Sequence, residues 1–180
     1  MSKLLYLHMG FHKTGSSSLQ YCLSENIKNL QEQCVTYPLF DCTFVKGING
    51  NSKPLYNIHN HGVCLKYIFS SNSRKNQSIY WNIPEDCIDK VKDSFLEQLD
   101  NVLNNNDKVI LSGEDISYFS ENELYKFKSY ILEKNFKIMP IIVVKSPYGY
   151  LISLLQQQIK VGKYFDLTNI KEYSSFFQKT

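Results

Sequence analysis

One histidine, one lysine and four hydroxyl side chains crowd into a turn near the start of the chain: His12, Lys13, Thr14, Ser16, Ser17 and Ser18, within the stretch HMGFHKTGSSSLQ at residues 8–20. Gly10 and Gly15 are spaced like the two glycines of the Gly-x-x-x-x-Gly-Lys-Ser/Thr phosphate loop, but Ser16 stands where that motif has lysine, and the lysine is inside the loop at Lys13. A helix opening at Ser16 would aim the backbone N–H groups of Gly15 to Ser18, with the positive end of its dipole, at whatever the turn encloses. The chemistry this suits is retention of a phosphate-like anion, with the hydroxyls as further donors. The plainer alternative is a glycine turn whose serines cap a helix. A magnesium-dependent nucleotidase keeps lysine after the second glycine, so the altered wiring points away from ordinary ATP or GTP hydrolysis.

A second candidate is Glu114, in LSGED directly after the apolar run Val109–Leu111. A carboxylate at the end of a buried strand serves as a general base where partial desolvation raises its pKa. The alternative there is that Glu114 or Asp115 caps the turn or pairs with a loop lysine. His12, beside the cradle, is placed to orient Lys13, touch the ligand or act as base, since imidazole titrates near neutral pH. His8 lies within the first apolar run and reads as a hydrogen-bonded core residue. His59 and His61, in YNIHNHG, lack a complete zinc ligand set and read as loop residues.

These residues need elements to hold them. Lys3 to Met9 reads as a strand, and Leu19, Leu23, Ile27 and Leu30 recur at helical spacing from Ser16 onward. CVTYP, Cys34 to Pro38, suits a short second strand. Residues 39–84 are rich in Asn, Ser and Gly, with one apolar patch at Val63 to Phe69, and read as an insertion over the sheet. From Pro84 a helix is expected with Ile88, Val91, Phe95, Leu99 and Val102 on one stripe, followed by the strand Val109–Leu111. Ser120 and Glu123 predict a capping box for a helix that carries Leu124, Phe127 and Ile131 inward. The run KIMPIIVV, ending at Lys145, predicts a strand covered on both faces, with Pro140 confining its pairing at the start. A last helix places Leu151, Leu155 and Ile159 together.

Strands alternating with helices predict an α/β domain with a central, mostly parallel sheet. Such sheets bind ligands beyond the carboxyl ends of their strands, so the turns at His12, Gly113 and Lys145 should gather on one edge.

Composition bounds the function. The 180 residues, 43% hydrophobic and 14% aromatic, suffice for one domain spanning 1–180 with a single core. A net charge of +3, from 20 basic and 17 acidic residues well interspersed, gives no case for nucleic acid or an anionic membrane as partner. The five cysteines, Cys22, Cys34, Cys42, Cys64 and Cys87, show no Cys-x-x-Cys spacing and read as reduced, mostly packed thiols. With neither a signal-peptide pattern nor a membrane-spanning run, the expected location is cytoplasmic.

GFHKTGSSSLQ closely resembles the 5'-phosphosulfate loop of sulfotransferases that use 3'-phosphoadenosine 5'-phosphosulfate (PAPS), particularly a bacterial type reading His-Lys-Thr-Gly-Thr/Ser-Thr/Ser-Ser. The resemblance implies that Lys13, Thr14, Gly15, Ser16, Ser17 and Ser18 bind the 5'-phosphosulfate. A second match is VVKSPYGYLIS, residues 143–153. The family holds its 3'-phosphate with an arginine at a strand end, usually a proline two residues on, and a serine eight residues after the arginine. Lys145, Pro147 and Ser153 occupy those places, with lysine's point charge standing for arginine's planar fork.

The implied fold is a P-loop NTPase-like three-layer α/β domain, truncated at its carboxyl terminus, because the family usually continues well past this helix. The implied reaction moves a sulfuryl group from PAPS to a hydroxyl or amine of a small-molecule or glycan acceptor, with no metal required. Lys13 would neutralise the departing phosphate, and Glu114 or His12 would take the acceptor's proton. A P-loop nucleotide kinase or phosphatase, and a non-catalytic nucleotide-binding domain, stand as alternatives from other classes.

Overall fold

Apolar side chains at Leu5 and Leu7 bury the middle of the first strand, and the computed structural model, which describes residues 3–10, 14–43, 54–71, 83–160 and 162, builds outward from it. The chain divides into two compact units, Met1–Val144 and Lys145–Thr180. In the first unit the order is β1 (Lys3–Gly10), α1 (Ser16–Glu25), α2 (Ile27–Glu32), β2 (Phe40–Cys42), β3 (Leu55–Ile58), α3 (His61–Phe69), α4 (Ile88–Asn105), β4 (Lys108–Ser112), α5 (Glu121–Glu133) and β5 (Phe136–Val143). The second unit contributes α6 (Pro147–Lys160).

β1 lies between β4 and β5 in a three-stranded parallel sheet. With strands and helices alternating along the chain, the molecule is α/β, compatible with a three-layer arrangement. No helix among the described residues is long and apolar enough to cross a membrane.

CVTYP does not form a full strand. It contributes one parallel bridge, Thr36 to Val109, in which the Thr36 amide donates to Lys108 O and Thr36 O accepts from the Ile110 amide, both at 2.9 Å. The helix expected from Ser16 breaks at Asn26 into α1 and α2, and its buried residues are the polar Ser16 and Gln20, whereas Leu19 is exposed. The apolar stripe there is not what α1 buries.

Of the segment 39–84, the described parts form the antiparallel pair β2–β3 and the helix α3, which hides Cys64, Leu65 and Tyr67. Asn60 caps α3, its side chain accepting from the Gly62 amide at 3.0 Å. α3 packs on α4, α5, β4 and the 3-10 turn Glu114–Tyr118. The apolar patch at Val63 to Phe69 is therefore a core helix.

α4 begins after a 3-10 turn at Glu85–Cys87 and buries Ile88, Val91, Phe95, Leu99 and Leu103, so the stripe ends one residue beyond the expected Val102. Lys3 Nζ donates to Leu103 O (2.8 Å) and Asn104 O (3.3 Å), closing the carboxyl end of that helix. The capping box at Ser120 and Glu123 is present, and Phe127 and Ile131 point inward, but Leu124 is exposed on the first turn of α5.

β5 departs from expectation twice. Its pairing with β1 runs the full length, from Lys3–Phe136 to Gly10–Val143, straight past Pro140. With β1 its one neighbour among the described residues, β5 can turn the side lacking an amide outward, which is where proline is tolerated. Nor is β5 covered on both faces: Met139 and Ile141 are each 43% exposed and Ile142 56%. In the second unit, Leu151 and Leu155 of α6 are half-buried, and Ile159 is exposed. The five cysteines are free thiols; Cys42 and Cys64 are buried, while Cys22 and Cys34 are exposed.

Candidate functional site

β1 ends at Gly10 and β4 at Ser112, and because the strands are parallel both open on the same edge. At Gly10 the chain folds back on itself: a Cβ there would collide with Ser16 Oγ and sit 3.0 Å from Thr14 Oγ1. Only glycine lets the hydroxyls of the turn rest against the strand end. Gly15, at φ 90° and ψ 13°, turns the chain into α1 from the left-handed region, where glycine is favoured, and no side-chain hydrogen bond caps this helix among the described residues. The serines thus open the helix without capping it, and no acidic side chain occupies its first turn. Ser16 is buried, with Thr14 Oγ1 3.4 Å from its hydroxyl, while Ser17 and Ser18 face solvent. His12 and Lys13 lie outside the described residues.

Beneath the turn is a buried polar cluster. His8 stands opposite Ser112 in the β1–β4 register, its Nδ1 2.8 Å from Ser112 Oγ, and Gly113 N extends the ladder by donating to His8 O at 3.1 Å. The Ser112 amide donates to His61 Nδ1 at 2.9 Å. A nitrogen that accepts carries no proton, so His61 is the Nε2–H tautomer, which donates to Pro38 O at 2.8 Å. Both ring nitrogens of His61 are satisfied and the ring is fully buried. Burial pushes its imidazole down to about 4, against a partly offsetting hydrogen bond to Pro38 and with a small further push from His59.

Tyr37 packs on His61, ring centroids 4.8 Å apart, and its hydroxyl donates to His59 O. Burial raises the Tyr37 phenol, and the nearby Ser112 side chain opposes the rise. Gln20, from α1, reaches Ser112 O at 3.5 Å.

Two glycines allow this cluster to close. A Cβ on Gly113 would drive into the Gly62 backbone, and one on Gly62 would lie 3.1 Å from the backbone and carboxylate of Asp115. The start of α3 thereby lies directly against the turn after β4. Asp115 pairs with Lys66 at 3.7 Å, so it is a structural carboxylate there. Glu114 is half-buried, one residue past Gly113, and its charge raises the tendency of His8 to hold a proton, although burial lowers it more.

In the second unit, Lys145 Nζ donates to Ser153 Oγ at 2.6 Å, and the Ser153 hydroxyl donates to Gly149 O at 2.9 Å. The eight-residue spacing works because the lysine stem crosses the first turn of α6. A Cβ on Gly149 would sit 3.3 Å from Lys145 Cε and 3.1 Å from Ser146 Oγ, which accepts from the Gly149 amide at 3.2 Å. The result is an exposed cation held against a half-buried hydroxyl in the middle of α6.

Among the sequence-derived candidates, the turn residues Thr14 to Ser18 lie at the end of β1, Glu114 lies one residue past the end of the β4 ladder, and Lys145 meets Ser153 in its own unit. Tyr37, His61 and Ser112 were not foreseen as a cluster, and His61 is a buried helix residue instead of a loop residue. A histidine just ahead of an apolar patch was the only sequence signal for it. Among the described residues, no three His, Cys, Asp or Glu side chains gather where a metal ion could be held. Compared with protein-family models, curated proteins and solved structures, the chain matches none.

Proposed function

We propose that this chain is a PAPS-dependent sulfotransferase domain of the P-loop-like α/β type, moving a sulfuryl group to a hydroxyl or amine of a small-molecule or glycan acceptor. The observation that carries this reading is the start of α1. A left-handed Gly15 supplies no capping side chain, so the helix presents its dipole and first amides to the turn, with the Thr14 and Ser16 hydroxyls folded over Gly10 beside them. That is an arrangement suited to the 5'-phosphosulfate. The contact between Lys145 and Ser153 supports the 3'-phosphate half of the reading, since one ammonium and one hydroxyl 2.6 Å apart can share a terminal phosphate.

In the proposed reaction the acceptor oxygen or nitrogen bonds to sulfur as the bridge from sulfur to the 5'-phosphate oxygen breaks. The acceptor's proton passes to Glu114, which follows β4 at the same edge as the turn, with His12 as the competing base. Lys13 neutralises the phosphate that departs as 3',5'-adenosine bisphosphate. Calorimetric titration tests the assignment. The bisphosphate should bind more tightly than 5'-AMP, and both more tightly than ATP with magnesium. Preference for ATP with magnesium would point to phosphoryl chemistry instead, and equal affinity for the bisphosphate and 5'-AMP would remove the 3'-phosphate site.

A further inference from the structure

Two histidines are buried in the cluster below the turn, and they differ in one respect. His61 has both ring nitrogens engaged. His8, 2% exposed, has Nδ1 on Ser112, while its Nε2 is buried with no hydrogen-bond partner among the described residues. A buried polar atom left in this state bears its desolvation penalty with no hydrogen bond to offset it. It occurs at the carboxyl end of the central strand.

The position of that atom follows from strand geometry. Side chains two residues apart on a strand share a face, so His8 projects on the same side of the sheet as the missing Cβ of Gly10. That side is where Ser16 Oγ and Thr14 Oγ1 press on Gly10 and where α1 begins. The unpartnered nitrogen therefore belongs to the face that the anion-binding turn covers.

The contact with Ser112 leaves two places for the ring proton: with Nδ1–H donating to Ser112 Oγ, Nε2 carries a lone pair, and with Nδ1 accepting from the serine hydroxyl, Nε2–H is a buried donor with no acceptor among the described residues. A lone pair repels an anion, whereas an imidazolium attracts one.

We propose that His8, held as the Nδ1–H tautomer, forms the floor of the turn's anion site and takes up one proton from solvent when a sulfate or phosphate ester binds, so that Nε2–H donates to an anion oxygen. This rests on the reading of the turn given above and adds a ligand-contacting residue to it. The groups facing His8 are consistent with such coupling. Burial keeps the empty ring neutral and Glu114 favours its protonated form, while Tyr37 and His61 are neutral and held by their own partners. α1 presents the uncharged Gln20 and Ser16, and His8 pairs with Ile141 on the β5 side. Of the turn's own titratable groups, His12 and Lys13 are outside the described residues.

Inorganic sulfate is the probe, because its charge is constant between about pH 6 and 8. Titration calorimetry in buffers of different ionisation enthalpy counts protons taken up, and the 15N resonances of the His8 ring report its protonation. The expected result is uptake approaching one proton per sulfate near pH 8, affinity rising by up to about tenfold per unit fall in pH, and an imidazolium signature at His8 in the complex. His8→Gln, with an amide near the Nε2 position, should bind sulfate without pH dependence, while His12→Gln should keep the dependence. Sulfate binding with an unchanged His8 ring overturns the role of His8 and leaves the anion-binding turn standing. Failure of sulfate to bind overturns both.

Discussion

Glu114 and Lys145 carry the two separable parts of the proposed reaction. Glu114→Gln preserves shape and removes the proton acceptor, so sulfuryl transfer from labelled PAPS should fall by roughly two to four orders of magnitude, with 3',5'-adenosine bisphosphate affinity nearly unchanged. Full activity in Glu114→Gln together with loss in His12→Ala would move the role of base to the histidine. Lys145→Ala should weaken the bisphosphate by about 1 to 3 kcal/mol and leave 5'-AMP binding alone, as expected for one charge-assisted hydrogen bond. Lys145→Arg should hold or improve that affinity. Equal affinity in wild type and Lys145→Ala would place the lysine outside any phosphate site. Both residues stood out in the sequence, Glu114 by following a buried strand and Lys145 by the place it takes, with Pro147 and Ser153, in the resemblance to the sulfotransferase 3'-phosphate segment.

Glycine contacts, more than side-chain complementarity, decide how the elements meet at the candidate site. Gly113 has ordinary extended backbone, φ −164°, so its need for glycine is spatial: α3 begins against it at Gly62. Gly113→Ala must push α3 away and stretch the bond from the Ser112 amide to His61 Nδ1. The expected loss is about 1 to 3 kcal/mol, the scale of overpacking a closed contact, read as a lowered midpoint in urea. An unchanged midpoint would mean that the start of α3 yields freely. Gly10→Ala strikes the turn instead, by displacing Ser16. It should reduce sulfate affinity at least tenfold with a smaller effect on the unfolding midpoint, and unaltered sulfate affinity would sever the turn from anion binding.

Across the whole molecule, buried titratable groups make folding sensitive to acid in two successive windows. His61 titrates at about 4 in the folded chain against an ordinary 6.5, so its contribution is intact above about 6.5 and is lost as pH falls toward 4, by up to about 3 kcal/mol. His8, also lowered by burial, acts in the same direction.

Glu123 follows at lower pH. Burial would raise its carboxyl, but amides of Ser120 and Ser71 and the hydroxyls of Ser70 and Ser120 outweigh burial and hold it at about 2. Its contribution is present above about 4.5 and lost as pH falls toward 2. Urea midpoints at pH 7, 6 and 5 should therefore decline before the loss from Glu123 begins. A flat profile from pH 7 to 4.5 would show that His61 is not held neutral by the fold.

Local patterns in the sequence determined the strands β1, β4 and β5, the helices α4, α5 and α6, the helix start at Ser16 after Gly15, the capping box at Ser120 and the closeness of Lys145 to Ser153. Each of these depends on residues within about one or two helical turns of one another, so short-range spacing is sufficient information. Tertiary structure alone decided that His61 is buried, that α1 hides Ser16 and Gln20 in place of its leucines, that Val63 to Phe69 is a core helix, and that one nitrogen of His8 is left open. Those outcomes depend on which strands become neighbours and on two glycines, Gly62 and Gly113, about fifty residues apart in the chain yet in direct contact. Burial and hydrogen-bond partnership are properties of what packs around a residue, and no periodicity in the residue's own segment encodes them.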